Sequence, residues 1–109
     1  IDLIALVTMA EAEGECVEGK RLVIDVILNR LESSRFDDTV HDVVYASGAF
    51  SSMWNGRVDR CYVMDEIRQL VVEELQSRTN YEVLYFRTKH YHKFGTPVVQ
   101  VGNHYFSTY

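Results

Sequence analysis

The chain has 109 residues, of which 47% are hydrophobic and 25% charged, the size and balance of one compact domain built on a single core. A formal net charge of −5 argues against a phosphate-backbone partner, because neutralising nucleic acid needs a basic face. Seven tyrosines, five phenylalanines, one tryptophan and a single proline exclude a low-complexity or disordered chain, and the apolar runs are broken by Asp25 or by charged neighbours well short of a bilayer span.

Leu3, Val7 and Ala10 form a stripe at helical spacing, and helix-favouring residues continue to Gly14. From Glu18 onward, Leu22, Val23, Val26, Ile27 and Leu31 recur on one face, predicting a second, strongly buried helix closed by Ser33 and Ser34. A short third helix is expected from Thr39 to Ala46, with Asp37 or Asp38 capping its first amides and Val40, Val43 and Val44 turned inward. Ser47 to Arg60, rich in Gly, Ser and Asn, reads as an irregular loop displaying Phe50 and Trp54. A fourth helix begins around Val63, with Ile67, Leu70, Val71 and Leu75 inward and Glu66, Arg68, Glu73 and Glu74 outward. After Asn80 the pattern changes. Val83 to Phe86 is a strand candidate, and Val98 to Val101, Gly102-Asn103 and His104 to Ser107 have the form of a hairpin with a two-residue turn. Helices followed by a small antiparallel sheet make the fold class α+β. With no repeat, linker or block of like charge, residues 1–109 read as one domain.

Glu11 lies four residues after Val7, so a carboxyl group continues the buried stripe of the first helix. Partial burial disfavours an ionised carboxylate and favours the protonated form that a general acid needs near neutrality. Ala10 and Ala12 leave room beside it, Glu13 points to the opposite side, and Glu15 can return to the side of Glu11. The competing reading is a solvated helix end, since Glu is a good helix former; spacing leaves both open. Asn29, inside a strongly apolar helix, is costly there unless hydrogen-bonded, which predicts a tie from the core to a neighbouring loop. Cys16 and Cys61 have no metal-like spacing and are compatible with one disulfide or with two unrelated thiols.

Ala10-Glu11-Ala12-Glu13-Gly14-Glu15, Gly19 and Val26-Ile27-Leu28-Asn29-Arg30-Leu31 resemble the hallmark segments of the spore cortex-lytic, SleB/CwlJ-like cell wall hydrolases. The resemblance continues through Phe36, Thr39-Val40, Val43-Val44-Tyr45, Gly48-Ala49-Phe50-Ser51 and Asn55-Gly56-Arg57, and ends with Val101-Gly102-Asn103-His104-Tyr105-Phe106. It implies a lysozyme-like α+β domain that cleaves the glycan strands of peptidoglycan by lytic transglycosylation, acting as a monomer, without a cofactor or bound metal. Glu11 matches the family's catalytic glutamate: proton donor to the glycosidic oxygen between N-acetylmuramic acid and N-acetylglucosamine, then base toward the muramic C6 hydroxyl. Asp37, Ala49 and Arg87-Thr88 depart from the residues common in the family, which bears on substrate contacts and not on the acid. The chain begins at Ile1 without an export signal, so the expectation is a trimmed piece of a protein that works in the bacterial wall or spore cortex, or of a phage lysin. No membrane contact is expected.

In the loop between helices, Phe50, Ser51, Trp54 and Asn55 are candidates for substrate binding, through rings that stack on sugars and groups that bond N-acetyl amides. Phe50 is the one better suited to plugging the core. Tyr85 and His104 are candidates for the floor of the cleft near Glu11, against the ordinary roles of strand tyrosine and hairpin histidine. His90 and His92 fall on one side of an extended segment, as in a zinc site, but no third ligand is evident. A metal-dependent amidase that frees peptide from glycan is therefore the second hypothesis, and a non-catalytic wall-binding module the third.

Overall fold

A computed structural model describes residues 1–36, 38–46, 50 and 64–109. Its elements are α1 (Asp2–Ala12), α2 (Val17–Glu32), α3 (Val40–Tyr45), α4 (Asp65–Gln76), β1 (Tyr85–Thr88), β2 (Thr96–Val101) and β3 (His104–Thr108). The α+β expectation holds, with helices first and a three-stranded antiparallel sheet, ordered β1-β3-β2, last.

α2 is the central helix. From Leu22 to Arg30 every residue is buried, so its second half is enclosed on all sides, with α1, α3, α4 and β1 packed round it. Val23, Ile24, Val26 and Ile27 join Val7, Val44, Val71 and Phe106 in one core, each such side chain contributing about 1.5–3 kcal/mol by leaving water. α1 is likewise buried beyond its predicted stripe, with Ile4, Ala5, Thr8, Met9 and Ala12 inside and Thr8 satisfying its hydroxyl on the Ile4 carbonyl at 2.8 Å.

Two expectations about the helices are corrected. α3 is capped by Thr39, whose hydroxyl accepts from the Asp42 amide at 3.1 Å, and not by Asp38, while Asp37 lies outside the described residues; Thr39 immediately precedes the helix, where a side-chain oxygen reaches the third amide. On α4, Glu74 is 2% exposed and Leu75 is 49% exposed, the reverse of the predicted facing. Polar partners outweigh hydropathy at this position. Glu74 accepts from Arg21 at 3.0 Å and from the Thr79 amide at 2.9 Å, and it faces Asp25 of α2.

Asp25, wholly buried, accepts from the Asn80 amide at 3.0 Å through one oxygen, while its other oxygen meets no donor among the described residues. Burial, and next the neighbouring Glu74, push its pKa up to about 8. Burial also raises Glu74, but bonds from Asp25, Thr79 and Arg21 more than offset that and hold it below the usual carboxylate range. The two acids therefore share one proton at neutral pH, Asp25 donating it to Glu74.

As predicted, Asn29 ties a loop to the core: its amide donates to the carbonyls of Asn80 at 3.0 Å and Val83 at 2.8 Å, and its oxygen accepts from Arg78 at 3.0 Å. Arg30 next to it donates to the Leu84 carbonyl at 2.8 Å. These bonds occupy the Val83 and Leu84 carbonyls, and the first strand accordingly begins at Tyr85, two residues later than predicted. β2 is an edge strand, which suits Pro97, and its register against β3 shifts between Pro97 and Val99. The predicted turn is present. Gly102 has φ of +57°, the backbone that a glycine first in a two-residue hairpin turn adopts freely.

Candidate active site

Glu11 stands in the last turn of α1, half-buried. Immediately beyond it the chain reverses, with the Glu15 amide donating to the Ala12 carbonyl at 3.0 Å. That reversal sends the Glu15 carboxylate to the hairpin tip, where one oxygen accepts from the Asn103 amide at 2.9 Å and the other from the Asn103 side chain at 3.2 Å. A Cβ on Gly102 would collide with the same carboxylate. The end of α1 and the β2–β3 turn are thereby fastened together, and His104 follows directly.

His104 opens β3, opposite Thr88 of β1 and Val101 of β2. It is 5% exposed, its ring lies 5.0 Å from Phe86 and 6.0 Å from Phe106, and its Nδ1 is buried without a hydrogen-bond partner among the described residues. Burial lowers its pKa, while the carboxylates of Glu15 and then Glu11 pull it back up. Glu11 and Glu15, near one end of the chain, thus lie within electrostatic reach of His104, near the other. The ring is neutral at pH 7 and its unmatched nitrogen is an unused bonding position in a buried place, where polar atoms normally have partners.

The other sequence candidates are dispersed or outside the described residues. Ser51, Trp54, Asn55 and Cys61 fall outside them; Cys16 is an exposed free thiol. Phe50 is described and is 1% exposed, packed 6.0 Å from Phe86 and 5.1 Å from the Arg30 guanidinium. No face of it is left for a sugar, so Phe50 is a core residue and its candidacy for substrate contact is withdrawn.

Tyr85 is three strand positions from Thr88, about 10 Å along the sheet and on its other face. It belongs to a separate aromatic cluster with Phe94, His92, Phe36 and Tyr109 at 5.0–6.1 Å, so it does not join Glu11. Arg30 is held among Phe36, Phe50 and Tyr85, with burial lowering its pKa to about 10 against the pull of Tyr85. His90 donates from Nδ1 to the Tyr91 carbonyl at 2.8 Å, whereas His92 turns toward Tyr85 and Phe94. Among the described residues no group of three or more His, Cys, Asp or Glu could hold a metal ion.

A profile described as Cell Wall Hydrolase matches residues 14–107. The chain belongs to the cell wall hydrolase family. Glu15, Asn103 and His104 lie inside the matched span and Glu11 three positions before it. A spore cortex-lytic enzyme of Oceanobacillus iheyensis is 43% identical over 58 residues, covering 53% of this chain and 21% of that protein. That of Bacillus subtilis is 38% identical over 58 residues, covering 53% and 19%. The chain spans about a fifth of the length of these curated relatives. In fold it is similar to the catalytic domain of the Bacillus cereus SleB protein, with a TM-score of 0.85 at 24% identity over 98% of this chain and 88% of that one. The catalytic domain of the germination-specific lytic transglycosylase SleB from Bacillus anthracis gives a TM-score of 0.82 at 23% identity, covering 98% and 92%. The family hydrolase thus has the SleB-type α+β architecture expected from its sequence.

Two features of the site region escaped the sequence reading. The Glu15 clamp joins residues 88 positions apart; its only local signal was a glutamate returning to the side of Glu11. Lys89 adopts φ of +76° directly after β1, and nothing in its neighbours' identities announces that.

Proposed function

We propose that this cell wall hydrolase degrades peptidoglycan by cutting the glycosidic bond between N-acetylmuramic acid and N-acetylglucosamine as a lytic transglycosylase. Glu11 acts as the proton donor to the glycosidic oxygen as the bond to muramic C1 breaks. The resulting carboxylate then takes the proton of the muramic C6 hydroxyl while that oxygen attacks C1, closing a 1,6-anhydro ring and restoring the acid. One carboxyl group serves both steps.

The observation that carries this reading is the engagement of Glu15. A hydrolase of the two-carboxylate type needs a second free Asp or Glu about 5–9.5 Å from the first, as nucleophile or as base for water. Both oxygens of Glu15, four residues after Glu11, are taken up by Asn103. His104, neutral and with Nδ1 unmatched, offers a hydrogen bond to the bound sugar or its N-acetyl group. Ser51, Trp54 and Asn55 supply further contacts to the glycan. The domain acts as a monomer on the peptidoglycan of a cell wall or spore cortex. No described helix is long and apolar enough to cross a membrane.

Digestion of purified peptidoglycan followed by mass spectrometry of the products tests the proposal. The native chain is expected to yield anhydro-muropeptides, insensitive to chelation, and Glu11→Gln to yield none. Reducing-end sugars would replace transglycosylation by hydrolysis, free peptides lost on chelation would indicate the amidase, and co-sedimentation without product would leave a wall-binding module.

A further inference from the structure

We infer that the sheet face carrying Arg87 and Tyr105, together with the segment 89–95 folded against it, is a second contact surface for peptidoglycan, apart from the site around Glu11, and holds the polymer by its free carboxylates and sugar rings. The inference rests on peptidoglycan being the substrate. Its first support is the distribution of charge. All sixteen Asp and Glu residues lie within positions 1–82, whereas residues 83–109 carry Arg87, Lys89 and Lys93 and no acidic side chain. The net −5 therefore conceals a molecule with acidic helices and a cationic sheet. These three cations are exposed and form no ion pair among the described residues.

Strand register gives the charges a common side. Arg87 pairs with Tyr105 and Tyr85 with Ser107, while His104 pairs with Thr88; successive strand residues alternate, so Tyr85, Arg87 and Tyr105 share the face opposite His104. Segment 89–95 lies against that face, Tyr91 meeting Tyr105 at 5.1 Å and Phe94 meeting Tyr85 at 5.0 Å. Two rings of this cluster stay open to solvent: Phe94 is 55% and Tyr109 44% exposed, and the Arg35 guanidinium lies 3.7 Å over the Tyr109 ring. Beside them is His92, whose Nδ1 is buried without a hydrogen-bond partner among the described residues. Burial lowers its pKa, and the positive charges of Arg87, Arg30 and His90 lower it further, with no carboxylate acting against them. Like charges gathered without a counterion favour an anion supplied by a partner.

That partner has to present anions and stackable rings in one polymer. Exposed aromatic rings cover sugar faces, and guanidinium and ammonium groups take carboxylates. Peptidoglycan offers both, since its glycan strands carry peptides with free carboxylates. Because the face is turned away from His104, it holds a part of the polymer other than the strand being cut. A network of many strands fills both places on one domain at once, which raises avidity without any new contact at Glu11.

The test is co-sedimentation with insoluble peptidoglycan stripped of phosphate polymers, in a Glu11→Gln background so that the polymer is not digested. Arg87→Gln with Lys93→Gln is expected to weaken binding about tenfold, the scale of two exposed charge contacts. Arg87→Lys with Lys93→Arg should retain it, which separates lost charge from lost fold, and Lys20→Gln with Arg68→Gln, which takes the same charge from the helices, should leave it unchanged. Equal losses from the sheet pair and the helix pair would reduce the effect to net charge and overturn the inference. So would undiminished binding to peptidoglycan whose carboxylates have been amidated, binding that needs the phosphate polymers left in place, or no sedimentation of the parent chain. Failure of the reaction is read separately, in the sugar products of the native chain. Sedimentation through this face without such products fails the reaction and keeps the surface; products from the native chain, with the sheet pair binding as tightly as the parent, fail the surface alone.

Discussion

Replacing Asn29 by aspartate changes one NH2 group to an oxygen, with almost no change in shape, and is expected to destabilise the fold at least as much as truncation to alanine. The Asn29 amide satisfies the Val83 carbonyl at 2.8 Å and the Asn80 carbonyl at 3.0 Å. Alanine orphans both. A buried acceptor left without a donor costs about 1–3 kcal/mol; with Val83 buried and Asn80 partly exposed, the sum is about 2–4 kcal/mol. Aspartate keeps the acceptor for Arg78 but turns a carboxylate oxygen toward two carbonyl oxygens. Its loss at pH 7 is therefore also about 2–4 kcal/mol, a quarter or more of the stability of a typical domain. Urea unfolding followed by far-ultraviolet circular dichroism reads this as a fall in midpoint of about 1–3 M with the slope preserved. At pH 4 the protonated side chain can donate to one carbonyl again, so Asn29→Asp recovers relative to native while Asn29→Ala does not. Asn29→Asp within about 0.5 kcal/mol of native at pH 7 would refute the accounting. The same bonds hold the chain entering β1, so the Leu84 amide, which donates to the Ser107 carbonyl at 2.8 Å, is expected to exchange faster in both variants.

Two further outcomes are expected besides the experiments already described. Asp25 has a folded pKa of about 8 against an ordinary 3.8, so the folded state holds a proton that the unfolded state has lost between those values. Its stabilising contribution is complete below about pH 4 and is lost as pH rises through 8. Glu74, held below its ordinary value, acts in the opposite sense and loses its contribution only at acid pH. The urea midpoint should therefore decline from pH 5 to 8, and Asp25→Asn, which can donate to Glu74 without titrating, should flatten that decline; an unchanged slope would show that the acid pair does not titrate there. Glu15→Gln keeps an acceptor for the Asn103 amide but removes the larger of the two charges that raise His104, so the His104 pKa measured by NMR should fall below the native value, and a rise or no change would remove Glu15 from the site.

Much was legible in the chain itself because its causes are local. Helical spacing of Leu22, Val23, Val26 and Ile27 located α2, the Gly102-Asn103 pair located the hairpin, and a lone amide among aliphatics at Asn29 required the partners it was found to have. Those signals act over one helical turn or one hairpin loop. The facing of α4 was not legible, because Glu74 is buried only by virtue of Arg21, 53 residues away, and of Asp25 across the helix interface. Nor was the site. Glu11 could be singled out from its own helix, but its nearness to His104 depends on Glu15 gripping a turn 88 residues later, and Tyr85 was separated from it by strand register. Periodicity and turn chemistry reach only a few residues along the chain, whereas desolvation and charge depend on whatever the completed fold brings alongside. The sequence by itself determined the elements and singled out Glu11 as a candidate, and tertiary structure alone decided which groups surround it.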